Sequence, residues 1–431
     1  MKKFLATYPG AARALLALSI PALAPVLCSS QQQPLNWDQV KARFESNNPA
    51  LRADALNVDE MRAEETTADL RPNPQAGVTV DGTQIAPNNG VWQPLAGTFV
   101  VPSISYLHER DRKRELRLQS AQEGTQITAS EHEDLKRTLE FNLRTAFINT
   151  LQAKSVLDFT RRDLDYYDHI IQISQDRFKA GDIAQIDLDR IELQRVQYES
   201  ELQTAIVNLR TAKIQLLQLL NDRTPVEQFD VQGPFDFSDQ LQPLDNFRQI
   251  ALDNRPDLRA AIQTIQQSET NHKLAISNGS TDPTFGGWYT WNSSTNNPNA
   301  DQTLGLSVNI PLRIFDRNQG EKQRTLIDID KSKASSEATR AQVFSDVDSA
   351  YAQIESTIAL LRPYRDKYKD QSTRVRDTVT YSYQHGGASL LDMLDAQSDY
   401  RQVQLAYLQL IGSYLTAAGQ LNLAVGREVI Q

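Results

Sequence analysis

Apolar residues recur at helical spacing over most of this chain. Ile191, Tyr198, Leu202, Leu209, Leu216 and Leu220 step by sums of threes and fours, which marks one stripe of a long helix. A second stripe, Ile186, Leu193, Val196, Val207, Ile214 and Leu217, runs down the same segment. A helix with an apolar stripe on each flank packs against a neighbour on each side, as a rod in a wall. The plainer alternative is a buried helix of an ordinary bundle, but the remaining faces are too polar for one.

The periodic segments fall into a repeated order. A helix over Trp37 to Asp69 is followed by two extended segments, a very long helix from about Leu107 to Phe178, and a returning helix over Ile183 to Leu220. A second set follows: a helix over Leu244 to Ser277, two extended segments, a long helix from Asn318 to Tyr383, and a returning helix over Ala388 to Val425. The long helix spans about 70 residues, or ~105 Å at its rise per residue. The two shorter helices, about 33 and 38 residues, match that length when laid end to end. We therefore expect a returning helix to stack on the first helix of the other set, forming a second full-length rod. Pro363 removes a hydrogen bond inside the second long helix and predicts a kink there.

The extended segments carry a different period. Leu304, Leu306, Val308, Ile310 and Leu312 alternate with Thr303, Gly305, Ser307 and Asn309, giving one apolar and one polar face. Their partner is aromatic: Gly286, Gly287, Trp288, Tyr289 and Trp291. In the first set Ala76, Val78 and Val80 alternate before a turn at Pro87-Asn88-Asn89-Gly90, and Gly97 to Ser105 returns. Each segment is about 10 residues, enough to cross a bilayer at a tilt. Strands span lipid only in a closed barrel, and four per chain are too few to close one around a pore. If these strands span, the chain oligomerises; three copies supply twelve. The alternative is a soluble hairpin packed on the helices.

The repetition extends to sequence. Asn47-Asn48-Pro49-Ala50-Leu51-Arg52-Ala53 returns as Asn254-Arg255-Pro256-Asp257-Leu258-Arg259-Ala260. Phe178-Lys179-Ala180-Gly181, with Asp187 beyond, returns as Tyr383-Gln384-His385-Gly386, with Asp392. The offset of about 205–210 residues marks a tandem duplication of a whole unit. The units are 35–221 and 246–426; the proline- and glycine-bearing stretch 222–245 reads as an irregular connector.

Composition narrows the class. A mean hydropathy of -0.49 with 23% charged residues is too polar for several thick globular cores. The net charge is -9, without a basic stripe, which argues against nucleic acid as a partner. Residues 1–28 read as an export signal: Lys2 and Lys3 precede an apolar run, Ala14 to Leu27, with Ala22-Leu23-Ala24 as a small-x-small site. Cys28 is the only cysteine, so no intramolecular disulfide can form. Closing the signal ahead of Ser29-Ser30, it is a candidate for lipidation; the alternative is an inert thiol, or one removed with the signal.

Little in the chain supports an enzyme. The five histidines (His108, His132, His169, His272 and His385) show no metal-ligand spacing, and there is no G-x-S-x-G motif or P-loop. No cofactor is expected. The turns after the long helices stand out instead. Gly181 and Gly386-Gly387 supply the backbone freedom that ends a helix sharply. Just beyond lie Asp187, and Asp392 with Asp395 three residues on, sharing a helix face. In a symmetric oligomer each aspartate becomes a ring that attracts cations, which suits a gate. Alternatively these are ordinary helix-start aspartates favoured by the helix dipole.

Over both units the chain resembles the TolC family of outer-membrane efflux proteins. The stretch Ile310-Pro311-Leu312-Arg313-Ile314-Phe315-Asp316-Arg317-Asn318-Gln319-Gly320 resembles the strand-to-helix junction of the cobalt-zinc-cadmium-type subgroup. Leu70-Arg71-Pro72-Asn73-Pro74 resembles that subgroup's approach to its first strand, and Gly386 to Gln397 the family's periplasmic tip. The resemblance implies a mainly α fold with transmembrane β: a homotrimer joining a twelve-stranded barrel in outer-membrane lipid to a long α-helical barrel in the periplasm. It implies a passive exit duct that docks on a periplasmic adaptor and an inner-membrane pump of RND type, with heavy-metal cations or drugs as open substrate classes. By the same resemblance Asp392 and Asp395 ring the channel entrance, and Asp187 and Tyr383 form a tip lock linking neighbouring helices. Gly181, Asp182, Gly386 and Gly387 lie in the turns that adaptor hairpins contact. One departure is Ala388, where the family member compared carries an arginine, so that part of the lock is weaker or differently built. The competing class is a periplasmic coiled-coil scaffold without a pore.

Overall fold

The computed structural model describes residues 33–292 and 299–430. The expected export signal, residues 1–28, and Cys28 as a candidate for lipidation lie outside the described residues.

Each expected helix is present, with three divided. The first unit contains α1 (Trp37–Asn47), α2 (Pro49–Asp69), strands β1 (Gln75–Asp81) and β2 (Phe99–Leu107), α3 (Lys113–Ala180) and α4 (Gln185–Leu219). The second contains α5 (Leu244–Asn254), α6 (Pro256–Ser277), β3 (Thr284–Trp291), β4 (Gln302–Asn309), α7 (Gln319–Pro363), a π-helical turn (Tyr364–Tyr368), α8 (Lys369–Gln384) and α9 (Leu390–Val425). The first helix of each unit breaks at the repeated proline. Pro49 and Pro256 push Asn48 and Arg255 to ψ 118° and 121°, out of the helical region. The proline then opens a new helix, where its missing N–H costs nothing.

The helices form a wall. α3 runs unbroken for 68 residues, or ~102 Å. It packs α2 and α6 along one half, and α4 and α9 along the other. α7 continues the wall beside α6 and α9, and α8 follows beside α9. The first stripe of α4 is the buried one: Ile191, Leu216 and Leu220 are fully buried. The second stripe is left open over most of its length, with Leu193 71%, Val196 61% and Val207 59% exposed, and only its last member, Leu217, is buried.

The stacking of the shorter helices differs from expectation. α4 abuts α2 of its own unit: Asn48 Nδ2 donates to the carbonyl of Leu219, and Asn221 Nδ2 to that of Asn47. α9 abuts α6 likewise, with Arg255 Nη1 donating to the carbonyl of Ala424. The returning helix comes back along α3 of its own unit, so its end meets the helix that began that unit.

Pro363 marks the predicted irregularity as a local π turn, with α8 continuing directly from it. Arg365 on this turn reaches Asp239 in the connector at 3.3 Å and stacks 5.0 Å from the Phe237 ring centroid. The connector also buries Phe229 and Val231 against α1, α3 and α4. A second cluster, from Phe247 on α5 to Leu421 on α9, covers the other unit.

The four strands make one antiparallel sheet in the order β1-β2-β3-β4, open at both edges. They are 7 to 9 residues long, shorter than expected because β4 ends at Asn309, before Ile310 to Leu312. The registers place Val78 opposite Pro102, Ile104 opposite Gly287, and Gly287 opposite Leu306. One face therefore carries Val78, Val80, Ile104, Phe285, Leu304, Leu306 and Val308, each more than a third exposed. The other face carries Thr79, Ser103, Ser105, Thr303 and Ser307. Trp288 lies on that polar face over Gly305, where a Cβ would come 2.2 Å from its ring.

Candidate functional site: the helical tip and the sheet

At the end of the wall away from the sheet, two helical hairpins turn. α3 ends at Gly181 with φ 83°, and Asp182 N–H bonds back to the Arg177 carbonyl at 2.9 Å. α8 ends at Gly386 with φ 77°, and Gly387 N–H bonds to the Ser382 carbonyl at 2.7 Å. A Cβ at Gly181 or Gly386 would meet nothing within 4 Å. Backbone conformation, not space, is what asks for glycine there. Asp182 and Gly387 are exposed in these turns.

The two tip aspartates of the second unit differ in employment. Asp392 closes a capping box: Ser389 N–H and Oγ–H donate to its Oδ2 at 3.1 and 2.7 Å, and Asp392 N–H donates to Ser389 Oγ. The Ser389 hydroxyl and backbone N–H hold its carboxyl below the usual carboxylate range. Asp395 is exposed one turn on, and among the described residues its carboxylate has no hydrogen bond or ion pair. Asp392 thus acts as a helix-cap partner, which Asp395 does not.

Asp187 sits in the first turn of α4, half-buried. It does not meet Tyr383 within the chain. Tyr383 is 4% exposed, and its hydroxyl oxygen is buried without a hydrogen-bond partner. Arg177 takes the place expected of Asp187: its Nη1 donates to the Tyr383 carbonyl at 2.6 Å, and its guanidinium lies 4.9 Å from the Tyr383 ring centroid. This joins the two hairpins of the chain. Sequence reasoning missed Arg177 because its repeat mate is Ser382, so the duplication carried no signal.

Behind the tip lies a second missed constellation. Tyr167 stacks on Tyr198 at 4.3 Å and donates its hydroxyl to the Ile191 carbonyl. Arg401 on α9 stands 4.1 Å from the Tyr198 ring centroid. It pairs with Asp163 on α3 at 3.2 Å and with Glu201 on α4. Burial pushes the Asp163 carboxyl up to about 6, against the attraction of Arg401 and Arg376. Three helices are thereby tied by one guanidinium.

The described residues hold no cluster of histidine, cysteine or carboxylate able to bind a metal. No described helix is long and apolar enough to cross a membrane. That leaves the four-stranded sheet, with its apolar outer face, as the element suited to lipid.

The duplication decides the family. The profile of the family "Outer membrane efflux protein" matches twice, over residues 42–222 and again over 247–427. The chain belongs to the outer membrane efflux protein family. This outer membrane efflux protein is 22% identical to the cobalt-zinc-cadmium resistance protein CzcC of Cupriavidus metallidurans over 94% of its own length and 93% of that protein. It is 25% identical to the outer membrane protein TolC of Escherichia coli, over 85% of its length and 77% of TolC. Among solved structures, CusC superimposes with a TM-score of 0.73 at 18% identity, covering 92% of this chain and 96% of that one. The Campylobacter jejuni CmeC outer membrane channel superimposes with a TM-score of 0.74 at 14% identity, covering 91% and 87%. The efflux protein thus resides in the outer membrane and extends into the periplasm, and its relatives are channel proteins.

Proposed function

We propose that this protein is the exit duct of a tripartite efflux system, a homotrimer that conducts substrate passively from an inner-membrane pump and a periplasmic adaptor to the outside. The observation that carries this reading is the sheet. It has an apolar face, a polar face and two unpaired edges. Unpaired edges are not tolerated in lipid, and three copies joined β4 to β1 give a closed barrel of about twelve strands with a polar lumen.

The wall supports the same symmetry. Its two margins expose apolar side chains, Leu193, Val196 and Val207 on α4 and Leu326, Ile327 and Leu360 on α7. Margins that differ in sequence fit each other head to tail, and such a contact forms a ring when its rotation closes. The entrance of the ring is the tip, lined by Asp392 and Asp395 and flanked by Asp187 and Tyr383. The turns at Gly181, Asp182, Gly386 and Gly387 are the adaptor-docking surface. The likeness to the cobalt-zinc-cadmium resistance protein CzcC favours metal-cation cargo over drugs, and the pump in this reading is of RND type. The pore-free scaffold reading does not account for an apolar sheet face.

Planar-bilayer conductance of the detergent-extracted protein, with native mass measured in parallel, tests this. A trimeric mass with discrete openings is expected. A soluble monomer without conductance would overturn it.

A further inference from the structure

We infer that the junction of α1, α3 and the end of α9 is a binding site for a small organic anion, a carboxylate carried on an apolar or aromatic body. The cavity there measures about 370 Å³, within the range of small-ligand sites. Trp37 and Phe141 form its apolar walls, and Arg137, Arg144 and Arg427 its cationic ones.

Arg144 is the anchor. It lies 4.5 Å from the Trp37 ring centroid. Among the described residues it has neither an ion-pair partner nor a hydrogen bond. Burial holds its guanidinium below the usual arginine range, with Glu428 and Asp38 only partly offsetting. A half-buried cation without a paired carboxylate is unfavourable, and a bound anion relieves that cost. Arg137 stands two turns away on the same face of α3, ~10.5 Å along the axis. Its Nη1 donates to the Leu423 carbonyl and its Nη2 to Asp134, but its buried Nε has no partner. Five cations, Lys41, Lys136, Arg137, Arg144 and Arg427, line the cavity against three carboxylates, Glu133, Glu140 and Glu428, and Glu428 offsets the Arg144 charge only in part. Glu140 is taken by Lys41 at 3.0 Å, and Lys136 by Glu45 at 3.1 Å.

The apolar walls decide the ligand's body. Planar Trp37 already carries one guanidinium, and the open Phe141 side accepts an aromatic or aliphatic group while the anionic head reaches Arg144. A ligand there touches α1, α3 and α9 together. It would brace the zone where α9 abuts α6.

Trp37 is a built-in reporter. With Trp92, Trp288 and Trp291 replaced by Phe, its fluorescence is followed in the full, detergent-solubilised chain at low salt during titration with benzoate, inorganic phosphate, benzamide and benzylamine. A saturable change with benzoate, at least tenfold weaker in Arg144→Met and partly restored in Arg144→Lys, is expected. Phosphate that matches benzoate would overturn the organic body, and benzamide or benzylamine that matches it would overturn the anion. A benzoate response untouched by Arg144→Met, in protein whose helix content is unchanged, would overturn the site. If Arg144→Met does not fold, Arg144→Lys alone decides: unchanged benzoate affinity overturns the site. The readout is fluorescence, not conductance, so its failure is separate from failure of the channel reading.

Discussion

Asn48 Nδ2 donates to the carbonyl oxygen of Leu219 at 3.0 Å, while Asn48 Oδ1 accepts the N–H of Leu51 at 3.0 Å. One amide therefore caps the start of α2 and satisfies a carbonyl at the end of α4, and the two helices become one rod. In the second unit the same position is Arg255. It cannot accept, so it holds Ala424 and draws in Asp257 and Asp346 at 2.6 and 2.7 Å. The duplicated joint has kept its geometry and changed its chemistry. Asn48→Ala is expected to cost about 1–2 kcal/mol, a lost cap plus an unpaired carbonyl. Arg255→Met should cost more, because it strips two carboxylates of their partner. Thermal midpoints of the two variants check the order.

Arg177 joins the hairpins through the Tyr383 carbonyl and ring. A charge-assisted hydrogen bond contributes about 1.5–3 kcal/mol, which is large for the end of a helical hairpin. Arg177→Met should loosen the tip and raise the resting conductance in bilayers, with trimer mass unchanged. Equal resting conductance would place the restraint elsewhere, at Asp187 or between copies.

Asp392 is committed to Ser389, whereas Asp395 is not. Block of the channel by trivalent cations added on the tip side should therefore weaken more in Asp395→Ala than in Asp392→Ala. Ser389→Ala removes the cap hydroxyl and should cost about 1 kcal/mol of helix stability while leaving the block in place. Block current against cation concentration reads all three variants.

Asp163 gives the protein an acid-side dependence of its own. Its folded carboxyl titrates near about 6, above its ordinary 3.8. Between about pH 4 and 6 the folded state holds more protons than the unfolded one, so this group's contribution to stability falls as pH rises through that window. The full swing is roughly 3 kcal/mol. Melting midpoints from pH 4 to 7 should show the unsubstituted protein gaining on Asp163→Asn as the solution becomes more acidic. Parallel profiles would reject the assignment.

Sequence by itself determined which segments are helices and strands, and where most of them end. The turns sit at Gly181 and Gly386, residues whose backbone freedom acts locally and is therefore visible in one dimension, whereas the breaks at Pro49 and Pro256 divide what the pattern reads as single helices. It also determined the duplication and the two faces of the sheet, because period two leaves each side chain little choice of side. Which α4 stripe would be buried, and that α4 would stack on α2 of its own unit, was decided only in three dimensions. Both stripes have the same period, and end-to-end stacking leaves no period at all. The tip shows the same limit. Phe178 and Tyr383 are repeat mates, yet Phe178 is 36% exposed and Tyr383 4%, because Arg177 and the Tyr167–Tyr198 stack reach only one of them. Long-range contacts of this kind, like the Arg401 bridge across three helices, depend on how rods of equal pattern are placed side by side, and that placement is a property of the packed wall.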